Sequence, residues 1–387
     1  MRAGPSCTRR QALFAPLALA AAPVSPDWAQ VLAARVQAGL LRSYDVAGAG
    51  AFDLSHANCA YSYDNAVVGL ALLAAGKVAP ARVLGEAFLA AQARDRFYHD
   101  GRLRNAYAAG PVAATGDYPL AGWWDKAAGQ WVEDAYQVGT ATGVVAWVIL
   151  FWLALGRATG DARFAAAARR AADWVERSIR VERGYSGGFM GWEPGPTRVG
   201  WVSTEHNLDL AVAFAALGRA EQAAHARACV AGMWLPGQGR FATGLRPDGT
   251  QNLHPAVDAN LWPSLAPGAD PAWAGALDWV LAHQGVPATA PNGVDFDDDR
   301  DGIWLEGTAY VALAAHQAGR AALAATMLAT LCGHTAPSGL VYACTTPTLT
   351  TGLSTGVSPE AEFVYFRRPH IAATGWAALA LGGRGPF

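Results

Sequence analysis

Acidic side chains recur along this 387-residue chain at points where a polar stretch gives way to a long apolar segment. The clearest stretches are Tyr63-Asp64-Asn65 and residues 204–209, 258–260 and 304–306. Two carboxyl groups in one site suit acid–base catalysis, because a protonated acid can donate to a leaving oxygen while an ionised carboxylate activates water or attacks. The chain also has 15 Trp, and aromatic walls raise the pKa of a neighbouring carboxyl group by desolvation. These residue types together predict the cleavage of bonds between sugars.

Glu306 is the predicted proton donor, because Trp304 can keep it neutral and Gly307 leaves room for a ligand. Glu205 and Asp64 are the predicted bases, with Asp209 and Asp258 as further candidates. The predicted substrate-binding residues are Tyr63, Asn65, His206, Asn207, Asp209, Asp258, Asn260, Trp262, Trp304, Trp201 and Trp124. A simpler interpretation stays open for many of them, since acids and asparagines also cap helices and a histidine is often only structural.

The overall charge argues against a nucleic-acid partner. The 29 Lys+Arg nearly balance 31 Asp+Glu, and we find no basic run that could neutralise a phosphate backbone. With 52% hydrophobic and 16% charged residues, the composition excludes a disordered chain and predicts a large folded core.

The first 25 residues have the layout of an export signal. Arg9-Arg10 precede a short apolar run and then small residues, which is the twin-arginine type of leader. We therefore expect a periplasmic or extracellular protein whose residues 26–387 form one domain. A second apolar stretch, residues 138–156, has 19 uncharged residues in a row and could be a membrane span or a buried helix. We favour the buried helix, because its first third is rich in Gly and Thr, and expect no stable membrane span.

Helical periodicity recurs along the whole chain between connectors rich in Gly, Pro and Asp. It predicts twelve helices, at about residues 26–42, 61–75, 80–94, 139–157, 161–178, 204–218, 219–233, 258–266, 271–284, 306–318, 320–332 and 370–382. Alternate members are almost wholly apolar after their first turn, whereas 161–178 and 219–233 carry charges on one face. This alternation predicts an all-α (α/α)6 toroid with apolar inner helices and charged outer ones. Because the inner helices run parallel, their polar starts would meet at one mouth.

An acidic segment, residues 295–302, contains five aspartates within seven positions. Asp297, Asp299 and Asp301, followed by Gly302, match the opening of a calcium loop, although Thr308 stands where that loop has Glu. Two other interpretations stay open: a solvated acidic loop, or the DxDD proton donor that the segment resembles in class II terpene cyclases. We expect no required cofactor, and a structural calcium ion is the one candidate metal.

The cysteines do not form a metal-binding motif. Beyond Cys7 in the leader they are Cys59, Cys229, Cys332 and Cys344, with no CxxC pair, so a structural zinc site is not expected. A bridge between Cys332 and Cys344 is left open by the sequence.

Several of these stretches together resemble bacterial members of the six-hairpin glycosidase superfamily over about residues 61–387. They are Tyr63-Asp64-Asn65-Ala66 and residues 203–209, 258–262, 304–308, 373–376 and 386–387. The resemblance implies an (α/α)6 toroid that acts on an oligo- or polysaccharide. The superfamily also includes sugar epimerases and polysaccharide lyases, and fold alone does not decide the reaction.

We therefore expect an exported, monomeric glycoside hydrolase. Inner-ring geometry favours carboxyl groups about 6.5 to 9.5 Å apart, which is the spacing of inverting enzymes. One alternative is a lyase or epimerase in which His206 and Tyr63 move protons. Another is a non-catalytic sugar-binding or exopolysaccharide assembly protein with the same aromatic cavity.

Overall fold

The computed structural model describes residues 26–358 and 361–386, in which thirteen α-helices are joined by connectors with very short strands. The helices are α1 Trp28–Arg35, α2 Ala51–Ser55, α3 Ser62–Ala74, α4 Val78–Ala93, α5 Thr142–Thr159, α6 Ala162–Ser178, α7 Thr204–Ala216, α8 Ala220–Ala231, α9 Val257–Leu265, α10 Ala276–His283, α11 Leu305–Gln317, α12 Ala321–Gly333 and α13 Ile371–Leu381. A 3-10 helix, Pro271–Gly275, precedes α10. The predicted export signal, residues 1–25, lies outside the described residues.

The strands form eight small antiparallel sheets. They are β1 Cys59–Tyr61, β2 Ala106–Ala108, β3 Trp123–Asp125, β4 Gln130–Val132, β5 Thr140–Ala141, β6 Arg180–Val181, β7 Gly184–Tyr185, β8 Gly188–Met190, β9 Thr197–Val199, β10 Val202–Ser203, β11 Trp234–Leu235, β12 Arg240–Phe241, β13 Gly244–Leu245, β14 Gln251–Asn252, β15 Gly285–Val286, β16 Gly293–Val294, β17 Thr348–Leu349 and β18 Tyr365–Phe366. Two sheets have three strands, in the orders β5-β8-β9 and β10-β13-β14, and the rest are pairs. Several of these strands run directly into inner helices, so they fix where those helices begin.

Six helices form a closed inner ring. Each of α3, α5, α7, α9, α11 and α13 contacts the next, and α13 contacts α3. Outside them lie α4, α6, α8, α10 and α12, and the N-terminal α1 completes the outer ring by packing against α13 and α3. The predicted (α/α)6 toroid is confirmed.

The composition of each helix matches its ring. The outer helix α6 buries one face, including Phe164 and Trp174, while Arg169 and Arg170 are exposed on the other. The inner helix α5 is apolar nearly throughout, and 72% of it is buried, although its length and composition alone would let it cross a membrane. Its contacts with α3 and α7 confirm the interpretation of this segment as a buried inner helix.

The predicted helix boundaries fail in three places, each for a local reason. The helix expected at 26–42 ends at Arg35, because Gly39 adopts a left-handed φ of 72° and Leu40 pairs with Gly110 through the backbone. The helix expected at 271–284 begins as a 3-10 turn with Pro271 in its first position. The five-residue α2 was not predicted and lacks the length to show a period.

Five inner helices share a buried polar side chain four residues after the N-cap. In α7, the Asn207 amide donates to the Ser203 carbonyl at 2.8 Å and accepts from the Tyr185 backbone N–H at 2.8 Å. Asn65, Asn260, Thr308 and Thr374 make the corresponding pairs of bonds in α3, α9, α11 and α13. These side chains attach the connectors to the starts of the inner helices and so hold the mouth of the toroid in shape.

The cysteines within the described residues are all free thiols. Cys332 and Cys344, whose pairing the sequence left open, are not bridged. The connectors near them therefore depend on backbone hydrogen bonds and packing alone.

Candidate active site

A cavity of about 360 Å³ lies at the end of the ring where the inner helices begin. Its lining includes a residue from the first turns, or the N-cap, of every inner helix. Connector residues such as Tyr136, Trp201 and Tyr365 complete the wall. Parallel inner helices therefore gather residues that are far apart in sequence around one hollow.

The cavity brings together most of the side chains that the sequence singled out. Nine of the predicted residues line it: Tyr63, Asp64, Trp201, Glu205, His206, Asp258, Trp262, Trp304 and Glu306. Their assignment to individual catalytic and binding roles stays a prediction.

Five other predicted binders lie elsewhere. Asn65, Asn207 and Asn260 are fully buried, and their amides make the backbone bonds described above; their assignment as substrate binders stays a prediction. Asp209 is fully buried beneath the cavity, where burial raises its pKa and a hydrogen bond from Trp147 opposes that rise. Trp124 is 57% exposed on the β3–β4 hairpin, outside the cavity lining.

Glu306 is a buried carboxyl group held by two phenols. Tyr63 donates to its Oε1 at 2.5 Å, and Tyr310 donates to the same oxygen. Burial raises the pKa of Glu306 to about 7, even though the two phenols favour the ionised form. Within the described chain its second oxygen, Oε2, has no hydrogen-bond partner. Glu306 can therefore hold a proton near neutral pH, with one oxygen bound by the two phenols and the other unpaired.

The hydroxyl group of Tyr63 is held in place by further hydrogen bonds. Trp376 donates its indole N–H to Tyr63 Oη at 2.9 Å, and the Oη atoms of Tyr63 and Tyr310 are 3.1 Å apart. Because the Tyr63 hydroxyl donates its hydrogen bond to Glu306, it is poorly placed to act as a base. Burial raises the pKa of the Tyr63 phenol well above its usual value, so the phenol stays protonated and does not act as a base.

His370, the N-cap residue of α13, is a cavity residue that the sequence did not single out. Its Nε2 lies 3.0 Å from Asp64 Oδ2, and its ring stacks on Tyr44 with centroids 4.2 Å apart. A carboxylate only accepts hydrogen bonds, so Nε2 donates to Asp64, which fixes the orientation of the imidazole ring. Nδ1 lies 4.0 Å from Glu306 Oε2, and neither atom has a partner among the described residues. That separation is too long for a direct hydrogen bond, so neither atom satisfies the other.

Glu205 and Asp258 form a second carboxyl pair in the cavity. Burial raises the pKa of Asp258 to about 6 and that of Glu205 well above its usual value, where the charge of Asp258 adds to the rise. The two carboxyl groups interact directly, and their shifts together favour a proton on Glu205 and the negative charge on Asp258. Glu205 is only half-buried, which leaves it open to the cavity.

His206 is a neutral member of the wall. Burial lowers its pKa to about 4, and its ring lies 5.6 Å from that of Trp201. Its Nδ1 has no hydrogen-bond partner among the residues that the structure describes. His206 can therefore exchange hydrogen bonds with a ligand without adding charge.

The acidic segment lies behind the cavity. Carboxylate oxygens of Asp295, Asp297 and Asp299 lie within 4.8 Å of one another, and burial raises the pKa of Asp295 to about 8. Asp301, which the sequence placed in this set, is not part of this group of three carboxylates and accepts from Thr350. Three gathered carboxylates are oxygen donors of the kind that calcium prefers. None of the four aspartates lines the cavity, so the DxDD motif is not placed to protonate a ligand there.

The chain matches no protein-family model, and no curated protein is similar enough to count as a match. Solved structures with the same fold are numerous. They include a wild-type glycosidase (14% identity, 93% of this chain and 95% of that one, TM-score 0.60) and cellobiose 2-epimerase from Spirochaeta thermophila (12%, 92% and 92%, TM-score 0.59). A sugar epimerase from a ruminal bacterium is similar over 92% of this chain and 95% of its own, at 11% identity and a TM-score of 0.60. These likenesses show a toroid shared with glycosidases and sugar epimerases.

Proposed function

We propose that this protein is a glycoside hydrolase that acts on an oligo- or polysaccharide of uncharged sugars. The observation that carries the proposal is the pairing of two kinds of carboxyl site in one aromatic cavity. Glu306, with a pKa near 7, suits protonation of the leaving oxygen, and the Glu205–Asp258 pair retains the negative charge that activation of water requires. Solved glycosidases of the same fold support it.

The charge of the cavity supports uncharged sugars as the substrate. Asp64, Glu205, Asp258 and Glu306 all line it, whereas the one Lys or Arg among its described lining residues is Arg246. Arg246 is exposed and donates to the Gln251 carbonyl at 3.0 Å. A lyase acting on uronic acids must neutralise a carboxylate, and a lining with four acids and a single, exposed arginine offers few cations for that purpose. This argument favours hydrolysis over the lyase alternative.

The cavity residues have separate roles in the proposed hydrolysis. Glu306 protonates the leaving oxygen while the Glu205–Asp258 pair takes a proton from the attacking water. Tyr63 and Tyr310 position Glu306 by donating to Oε1, so that Oε2 faces the substrate. His370, oriented by Asp64, accepts a hydrogen bond from a sugar hydroxyl. We propose that water attacks the face opposite the leaving group and inverts the anomeric centre, which NMR of the first-formed anomer tests.

A sugar epimerase is the second candidate. Asp64 orients His370, whose Nδ1 is an acceptor in the neutral ring, which is the arrangement of a base that removes a proton from carbon. This residue pair replaces His206 and Tyr63, because Tyr63 already donates its proton to Glu306. Reaction in heavy water separates the two candidates, since a base of this kind returns deuterium to the sugar carbon.

Glu306→Gln is the test of the proposed reaction. Glutamine keeps the shape of the protonated acid and can still accept from Tyr63, but it cannot give up a proton to the leaving oxygen. We expect the release of new reducing ends to fall by about a thousandfold or more while the Kd for the glycan changes little. Equal activity in the variant would refute Glu306 as the acid. No turnover by the wild type, with binding intact, would indicate the non-catalytic sugar-binding alternative.

We also propose that the protein is exported through its leader and works as a monomer. Replacing Arg9 and Arg10 by lysine should keep the protein in the cytoplasm if the paired arginines are recognised. Cell fractionation measures this, and sedimentation gives the mass in solution. Export of the double variant at the wild-type level would refute the twin-arginine assignment.

A further inference from the structure

Three tryptophans are exposed outside the cavity, in the connectors that precede α5 and α7. Trp124 is 57% exposed, Trp131 50% and Trp192 52%, whereas tryptophan is usually among the more buried residue types. We call these three residues the aromatic platform. Exposed aromatic side chains grouped in this way mark a surface that binds something.

The β3–β4 hairpin presents two of the rings on one face. Trp124 stands directly opposite Trp131 in the antiparallel register, and opposed residues project to the same side with Cβ atoms about 5 Å apart. Trp131 packs over Gly122, where a side-chain carbon would lie only 2.6 Å from its Nε1. The glycine therefore lets the ring lie against the backbone, which holds it in place while its outer face stays open.

The aromatic platform is continuous with the cavity wall. Trp192 donates its indole N–H to the Glu133 carbonyl at 3.2 Å, which joins it to the end of the hairpin. Met190 and Tyr136, a few residues away along the same two segments, line the cavity. Two residues span at most about 7 Å, so Trp192 lies close to the part of the cavity wall that Met190 forms.

The surroundings of the platform favour a polar, hydroxyl-bearing ligand over a lipid surface. Arg96 forms ion pairs with Glu133, at 2.7 Å, and with Glu193, next to Trp192. A membrane would have to cover these charges at a cost in desolvation. Sugar rings offer both apolar faces for indole rings and hydroxyls for the neighbouring polar groups.

We propose that the aromatic platform binds the part of a glycan chain that extends out of the cavity, so that the natural substrate is a polysaccharide. The inference rests on the proposed function and goes beyond it by assigning a second, non-catalytic binding site. It predicts that long chains bind more tightly than short ones, because only a long chain reaches both sites.

The experiment uses the Glu306→Gln protein, in which binding is measured without turnover. Trp124→Ala and Trp131→Ala are combined in it, and affinity electrophoresis gives the Kd for a soluble β-glucan, an α-glucan and a mannan. For any polymer that binds, we expect the Kd to rise about tenfold, with the Kd for a trisaccharide of the same sugar unchanged. The matched control is Leu381→Ala, which removes a 40% exposed apolar side chain at the far end of α13.

The outcomes separate this inference from the proposed function. If the Kd for the polymer is unchanged in the double variant, or if the Glu306→Gln protein binds no polymer at all, the aromatic platform does not bind glycan and the inference is overturned. The proposed hydrolysis is then judged by activity alone. Weaker polymer binding in the double variant, with no bond cleaved by the wild type, supports the platform and refutes the hydrolase. Self-association that the double variant loses, seen by sedimentation at rising concentration, would identify a contact between copies and overturn the inference.

Discussion

Replacing Glu306 by glutamine should change how the stability of the protein depends on pH, in a way that needs no substrate. In the folded protein the pKa of Glu306 is about 7, against a reference value of 4.5. The group therefore contributes its full stability below pH 4.5 and loses it as pH rises through 7, because only the unfolded chain ionises freely in between. A difference of about 2.5 pKa units corresponds to about 3 kcal/mol. Glutamine cannot ionise, so the variant keeps the stability that the wild type loses as the pH rises.

Urea unfolding at pH 5 and at pH 8 measures this difference. We expect the free energy of unfolding of Glu306→Gln, relative to the wild type, to rise by about 2.5 kcal/mol between the two conditions, since the unfolded chain is already partly ionised at pH 5. Glu182→Gln, which changes an exposed glutamate, serves as the control and should follow the wild type at both pH values. If the curves for Glu306→Gln and the wild type stay parallel, Glu306 does not have a raised pKa and the argument for it as a proton donor fails.

Three further variants test other parts of the account. Tyr63→Phe removes a hydrogen-bond donor that favours ionised Glu306, so the alkaline limb of the pH–activity profile should move up by about one pH unit. Tyr118→Phe serves as the control and should leave the limb in place. If Tyr63→Phe also leaves it in place, the hydrogen bond from Tyr63 does not lower the pKa of Glu306. Asn207→Ala should lower the free energy of unfolding by about 2 to 4 kcal/mol without changing the pH–activity profile. If the variant instead has a raised KM and unchanged stability, Asn207 binds substrate. Calcium should raise the melting temperature of the wild type but not of Asp297→Asn, and no rise in the wild type would indicate a solvated acidic loop.

The architecture could be predicted from the sequence because the two rings differ in composition. Segments such as 139–157 are apolar all round, and 161–178 has one charged face, which together specify buried and exposed helices. The error at 26–42 arose because periodicity does not register a single left-handed backbone position such as Gly39. The 3-10 start at Pro271 is a similar local effect.

The candidate site was only partly predictable. Acids at helix starts led to Asp64, Glu205 and Glu306, but Asn65, Asn207 and Asn260 are also polar groups at helix starts and make structural backbone bonds. Their shared position, four residues after the N-cap, is a signal that would have indicated those bonds.

Among the cavity residues that escaped prediction, His370 and Tyr310 were missed for different reasons. His370 has no acidic neighbour in sequence, because its partner Asp64 lies 306 residues away and only closure of the ring brings them together. Tyr310 could have been found, since it lies four residues after Glu306 and therefore on the same helix face.

The central claim, that the acids of this cavity hydrolyse bonds between uncharged sugars, is tested most directly by NMR of the products formed in heavy water. The purified protein would be incubated with neutral and with uronic-acid-containing oligosaccharides and polysaccharides of different linkages. We predict new reducing ends and no deuterium bound to carbon. Deuterium on a sugar carbon with the linkages intact, or an unsaturated sugar at the new chain end, would contradict the account and identify an epimerase or a lyase.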